Sequence, residues 1–423
     1  MHNMIAVCAV AFLCGLVFQA RAQDGGTVLT MEEAVARALD AAPSLSAGDE
    51  AVRAASGALR QARLRPNPTL SLQAENVVGS GAFSAFDRAE FTLGIDQRIE
   101  RGGKRGARVG LAEADRQLAR LEAVLTRLDV SFEARRAYVE AMAVAAVLDT
   151  AERRAGIAAE LQETVRRRVR SARDSVAAEQ RVLARALEAE ADVEQARHAL
   201  GLAKQNLAAL WGGAGDGFAI DRPRFFDVPA ADEAAVRDRL DNAPDLLMAR
   251  HAVDRAAAAL TLERARAKQD PTVGLGLRRL EATNDVAAMV SVSLPLALFD
   301  VNRGNIDRAA AERRRAQWQT SDARLRLERA VAAHLATLGA AGAEAAALRD
   351  RILPTALKAL DETRAGYGRG AFTYLEVLAA QTALQDLHAR EIAALQRSHL
   401  AKAALDRLLA TSDDAVSGEE TSR

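Results

Sequence analysis

The sequence predicts a mainly α-helical chain that carries a membrane β-barrel, organised as two internal repeats, each a long helical hairpin plus a β-hairpin. Three observations point to this. Ala, Leu, Arg and Glu dominate the 423 residues, while nine prolines and 4% aromatics are few for globular cores, so the composition is that of long helices or coiled coils. Two pairs of runs alternating apolar with polar residues interrupt the helical pattern; each has about 9 to 11 residues, the length a tilted strand needs to cross a bilayer. Finally, Leu39-Asp40, Pro43 and Ala51-Val52 recur as Leu240-Asp241, Pro244 and Ala252-Val253, all offset by 201.

Residues 1–22 read as a secretory signal peptide: an apolar run over 4–18, too short for a membrane span, precedes the small-residue cleavage site Ala20-Arg21-Ala22. Its first residues, Met1-His2-Asn3, lack the usual Lys or Arg. Cys8 and Cys14 both lie inside it, so the mature chain from Gln23 is expected to have no disulfide and no thiolate metal site. No other segment reaches about 18 apolar residues, and no further membrane helix is expected. Lys+Arg and Asp+Glu both total 57, and no basic stripe is interleaved with aromatics, so nothing suggests a nucleic-acid partner.

The first repeat spans 23–227. Thr30-Met31-Glu32-Glu33 is a capping box that opens two helices divided at Pro43, and Pro66 and Pro68 end the second. Strands follow at about 68–79 and 88–99. Arg101-Gly102-Gly103-Lys104-Arg105 then turns the chain into a helix running to about Val169, on the order of 100 Å at 1.5 Å per residue. Leu118, Leu121, Leu125, Leu128 and Phe132 mark a coiled-coil seam in it. The chain reverses at a tip of about 170–175 and returns over Val176 to Trp211, ended by glycines.

The second repeat spans 228–411, with strands at about 271–280 and 287–297 and a tip at about 366–373. Gly366, Gly368 and Gly370 crowd this tip, which predicts a turn that needs positive φ. Pro354 lies sixteen residues before Gly370 and Gly156 sixteen before Ala172, which predicts a paired kink, with Asp350 recapping the helix after Pro354. The polar tail 412–423 is expected to be disordered. Four strands cannot close a barrel, so copies of the chain must complete it, and three copies give twelve strands and a useful lumen. Leu70, Leu72, Leu93, Ile95, Val273, Leu275, Val290 and Val292 are expected to face lipid, with Ser71, Gln73, Thr92, Asp96, Ser291 and Ser293 inside.

This arrangement resembles the outer-membrane efflux protein family of TolC type over essentially the whole mature chain. The marks are Leu29-Thr30-Met31-Glu32-Glu33-Ala34, Gly102-Gly103-Lys104-Arg105, Leu294-Pro295-Leu296 with Asn302-Arg303-Gly304, and Leu353-Pro354 followed by Gly366-Tyr367 and Gly370. The first-hairpin mark is most similar to the heavy-metal, CzcC-like branch. The resemblance implies a homotrimeric α/β barrel in the outer membrane with a long periplasmic extension, meeting a periplasmic adaptor protein and an inner-membrane proton-driven pump of the resistance-nodulation-division type. It implies a passive exit duct without cofactor, for heavy-metal cations, with drug or organic-compound efflux as the alternative. It also places a candidate acidic gate at Glu376, while a second acidic position of the family is Ala379 here and the glycine of the first tip is Ala172.

Glu376 could form a negative constriction when copies meet around an axis, or be a solvated helix-surface carboxylate. Tyr367 and Tyr374 could close the tip or simply fill its core. Arg170, Ala172 and Arg173 at the first tip, with Gly368, Arg369 and Gly370 at the second, are candidate adaptor contacts, as against an exposed charge run and turn. The histidines are too widely spaced for one metal, and no nucleophile, base and orienter converge, so neither a metal site nor an enzyme is expected. A rival of another class is a soluble periplasmic coiled-coil scaffold whose strand pairs are ordinary hairpins.

Overall fold

Residues 27–84 and 86–410 are described by the computed structural model. The expected leader 1–22 and tail 412–423 lie outside the described residues. A short strand β1 (Thr27–Leu29) leads into α1 (Met31–Ala41), whose capping box is complete: Glu33 N donates to Thr30 Oγ1 at 3.2 Å and Thr30 N to Glu33 Oε2 at 3.0 Å. Helix α2 (Pro43–Ala62) begins at the proline that divides the two, because Pro fits a first helical turn where no N–H is needed.

Strands β2 (Thr69–Glu75) and β3 (Glu90–Arg98) precede α3 (Lys104–Arg170) and α4 (Val176–Ala209). Gly102 and Gly103, at φ +69° and +74°, make the turn from β3 into α3. Asp270 holds it, accepting from Arg101 N at 2.9 Å and pairing with Lys104 at 2.8 Å. The chain continues through β4 (Phe218–Ile220), α5 (Glu233–Leu240), α6 (Pro244–Arg266), β5 (Thr272–Leu280) and β6 (Asp285–Ser293). Its last helices are α7 (Arg303–Ala347), α8 (Leu353–Arg369) and α9 (Tyr374–Leu408).

Strand β6 starts at Asp285 and stops at Ser293, short of the expected 297. Pro295 has no N–H for a ladder, so the pairing ends before it. Likewise β2 stops at Glu75 rather than near 79, where Asn76 takes φ +56°.

The two repeats do not share a break in the helix. Gly156 lies inside the uninterrupted α3, whereas a π segment, Leu348–Ile352, separates α7 from α8. There Leu353 N donates to Leu348 O, an i→i−5 bond, and the widened turn precedes the one residue, Pro354, that cannot donate. Asp350 does not recap the helix; it accepts from Arg349 Nε at 2.9 Å, and no side chain caps α8. The helical run Arg303–Arg369 also contains, against expectation, an 18-residue stretch apolar enough by length and composition to cross a membrane. Much of it is alanine, and Leu338, Ala341 and Ala345 within this run are buried.

The chain divides into two compact units. One comprises residues up to Ala42, Val130–Ala231 and Ala333–Arg407. Its main core joins Leu29, Tyr138, Met142, Leu207, Phe225 and Leu395, and the parallel pair β1–β4 lies on it. Tyr138 Oη donates to Leu29 O at 2.6 Å and accepts from Asp221 N, so a buried hydroxyl fastens the ribbon. The other unit comprises Pro43–Asp129, Asp232–Ala332 and the residues from Leu408. It contains one antiparallel sheet of order β2-β3-β5-β6. In that sheet Leu70, Ile95, Leu275 and Val290 stand in one cross-strand row, and Leu72, Leu93 and Leu277 in the next. One face is therefore apolar and exposed, and β2 and β6 leave open edges.

Candidate gate at the helical tips and a polar sheet face

The two tips are one backbone motif built from different residues. At the second, Gly370 takes φ +84°, its N–H reaches Tyr367 O at 3.0 Å and Ala371 N reaches Gly366 O at 2.8 Å. At the first, Ala172 takes φ +55°, its N–H reaches Val169 O at 2.9 Å and Arg173 N reaches Arg168 O at 2.9 Å. Both are left-handed helix ends that satisfy terminal carbonyls. Only Gly370 of the three tip glycines has positive φ; Gly366 and Gly368 are helical, which corrects the reading of all three as turn residues. Gly366 is small for another reason: a Cβ there would overlap the Phe372 ring.

Tyr367 and Tyr374 are both buried, in a cluster with Leu161, Val165, Val182 and Val377. Tyr367, 3% exposed, donates from Oη to Asp174 Oδ2 at 2.6 Å. Arg168 completes the triad. Its Nε donates to the same Asp174 oxygen at 2.8 Å, its Nη1 to Tyr367 O at 2.9 Å, and its guanidinium lies 4.7 Å from the centre of the Tyr367 ring. One arginine therefore binds the carboxylate, the backbone and the aromatic face across both tips. Burial pushes the Asp174 carboxyl up, but the hydrogen bonds from Arg168 and Tyr367 outweigh it and hold it below its ordinary range. Burial and the bond to Asp174 push the Tyr367 hydroxyl well above its ordinary value. Burial also raises Tyr374, against the nearby Arg185 and Arg181.

Glu376 is exposed and closes a capping box on α9. Its Oε2 accepts from Thr373 N at 2.6 Å and from Thr373 Oγ1 at 2.9 Å, and its own N–H reaches Thr373 Oγ1 at 3.4 Å. The backbone bond from Thr373 is the main cause that lowers its carboxyl below the ordinary value. Arg170, Ala172, Arg173, Gly368, Arg369 and Gly370 are all exposed, so the tips present three arginines to solvent. Sequence reasoning did not connect Arg168 and Asp174 with Tyr367. Nothing local marks their partner, because Tyr367 lies 193 residues from Asp174.

The polar face of the sheet carries Ser71, Gln73, Thr92, Asp96, Ser291 and Ser293. Ser71 Oγ donates to Asp96 Oδ2 at 3.2 Å, and Gly274 leaves the room: a Cβ there would overlap both Asp96 and Ser291. Arg278 pairs with Glu75 at 3.0 Å and Glu90 at 2.7 Å and donates to Thr92. Among the described residues no group of three His, Cys, Asp or Glu side chains is placed to hold a metal ion.

The family profile described as "Outer membrane efflux protein" matches twice, over residues 34–213 and 235–411. The "Cobalt-zinc-cadmium resistance protein CzcC" of Cupriavidus metallidurans is 30% identical over 382 residues, 90% of each chain. The "Nickel-cobalt-cadmium resistance protein NccC" of Alcaligenes xylosoxydans xylosoxydans is 26% identical over 289 residues, 68% of this chain and 65% of its own. Among solved structures, the outer membrane protein VceC of Vibrio cholerae superposes with a TM-score of 0.75 at 21% identity, covering 90% of this chain and 96% of that one. Two matches along one chain, a relative aligned over nine-tenths of both lengths and a shared fold leave one conclusion: the chain belongs to the outer membrane efflux protein family, a duct of the outer membrane and not an enzyme.

Proposed function

We propose that the chain is the outer-membrane exit duct of a tripartite efflux system that carries heavy-metal cations. Three copies would join their four-stranded sheets at the open β2 and β6 edges into a twelve-stranded barrel. The observation that carries this reading is that sheet: one face exposes apolar side chains from all four strands, with Arg279 and Gln97 only in its outer rows, a surface that lipid can cover, and the other keeps hydroxyls and charged groups for an aqueous path. A soluble scaffold would leave the apolar face in water. The metal preference rests on the names of two resistance proteins similar in sequence. A partner pump would supply the energy. The two halves, 23–227 and 228–411, act as equivalent repeats.

Gating belongs to the tips in this proposal. Tyr367, Asp174 and Arg168 latch the two tips of one chain, Tyr374 fills the core beneath them, and Glu376 adds negative charge where copies converge. Arg170, Ala172, Arg173, Gly368, Arg369 and Gly370 form the surface that a periplasmic adaptor engages. The purified protein in planar bilayers is expected to form cation-preferring pores, and a deletion strain to become sensitive to cobalt, zinc or cadmium. Absence of any pore would overturn the duct; sensitivity to hydrophobic drugs alone would overturn the metal cargo.

A further inference from the structure

Helices α2, α3, α6 and α7 all join the sheet at one end, where β2 and β5 begin and β3 and β6 stop; the turns of the β2–β3 and β5–β6 hairpins lie at the other. In the duct reading the hairpin end is the outer mouth. Register fixes what the polar face carries on the way there. Thr69, Asp96, Gly274 and Ser291 form one row and Ser71, Gly94, Gly276 and Met289 the next. The glycines keep these rows low. A Cβ at Gly274 would meet Asp96 and Ser291, and one at Gly94 would meet Ser71 Oγ at 2.9 Å, so the polar side chains lie over the glycines instead of standing away from the sheet.

The rows beyond have another character. Gln73, Thr92, Arg278 and Ala287 form one, and Glu75, Glu90, Leu280 and Asp285 the last before the turns. Arg278 ties the two together. Its Nη1 pairs with Glu90 Oε2 at 2.7 Å, its Nη2 with Glu75 Oε2 at 3.0 Å, and its Nε donates to Thr92 Oγ1 at 3.0 Å. Glu75 and Glu90 stand directly opposite each other on β2 and β3, a juxtaposition of like charges that is unfavourable unless a cation lies between them. Two carboxylates and a hydroxyl on neighbouring strands are also the oxygen ligands that a divalent cation takes. The guanidinium fills that place.

We propose that Arg278 is a resident counter-ion at the outer mouth: it occupies the space between Glu75 and Glu90, so that a departing divalent cation meets an acidic wall but no free pair of carboxylates to bind. This rests on the duct reading, in which the polar face lines the path, and it adds a specificity-determining residue at the end remote from the tips. Conduction needs attraction strong enough to admit an ion and weak enough to release it. Two carboxylates and one guanidinium leave a single negative charge per copy, and loss of the guanidinium doubles it. Both the ion preference of the mouth and its affinity for metal therefore pass through one side chain.

Single channels of the full-length protein in planar bilayers test this, with zinc chloride added to both sides. Wild-type current is expected to be unaffected by zinc. Arg278→Gln is expected to raise the preference for cations over anions about twofold and to make the channel blockable by zinc, reversibly on chelation. Adding Glu90→Gln to Arg278→Gln is expected to abolish the block, and Arg278→Lys to keep the wild-type preference. A merely structural ion pair would change neither block nor preference, so Arg278→Gln channels that zinc leaves open at unchanged preference overturn the proposal, as does equal block of the wild type. If Arg278→Gln does not assemble, Glu75→Gln with Glu90→Gln takes its place: the retained guanidinium is expected to shift preference toward anions, and no shift overturns the counter-ion while leaving the duct standing. Wild-type protein that forms no pore overturns both.

Discussion

Tyr367 and Asp174 show how far one hydroxyl can matter. Tyr367→Phe keeps the ring beneath Arg168 and removes only the bond to a carboxylate, so it is expected to cost about 2 kcal/mol at the tip and to raise the open fraction of single channels. Phe at this position with unchanged opening would mean that the latch does not gate. The pH dependence follows from the direction of each shift. Asp174 is depressed, so its contribution is present above its ordinary value of 3.8 and is lost as pH falls below that. Tyr367 is raised, so its contribution is present below its ordinary value of 10.0 and is lost only as pH rises through its higher folded value. The latch is thus expected to hold from about pH 5 to about pH 9, and the protection of amides at residues 366–373, corrected for the intrinsic rise of exchange with pH, should fall only beyond those limits.

A pair of variants separates the cap that Glu376 forms from the gate proposed for it. Gln can keep the capping box without charge, whereas Ala loses both. If the carboxylate sets ion preference, Glu376→Gln lowers cation selectivity in bilayers about as much as Glu376→Ala, while only Ala lowers helix stability. If the two variants differ in stability alone, Glu376 is a cap and not a gate.

At the scale of elements, the sheet and the tips are specified by small residues. Gly274→Ala is expected to push Asp96 away from Ser71 and to cost about 1–3 kcal/mol, read as a lower melting temperature and altered conductance. Ala172→Gly acts in the opposite direction: it relieves a left-handed alanine and is expected to stabilise the first tip by about 1 kcal/mol, seen as slower proteolysis there. Sequence pattern had located strands and helices within a few residues, since alternation and heptads report directly on which face is buried. It failed where one residue has two uses. Gly366 looked like a turn glycine and is a contact for Phe372; Gly156 looked like a kink and lies in a continuous helix, because a helix of 67 residues held by its neighbours absorbs one glycine.

For the molecule as a whole, the sequence by itself determined the class. Repeat offset, alternating runs of bilayer length and long apolar seams depend only on local periodicity, and the family matches agree with them. Tertiary structure alone decided which residues meet. Strand order β2-β3-β5-β6 sets two hairpins far apart in the chain side by side, and Arg168 joins tips 199 residues apart. The physical reason is that periodicity tells how a segment divides its surface between apolar and polar, and that division is local. Which surface covers which is set by the register of strands and the packing of helices, and no single stretch of sequence contains it.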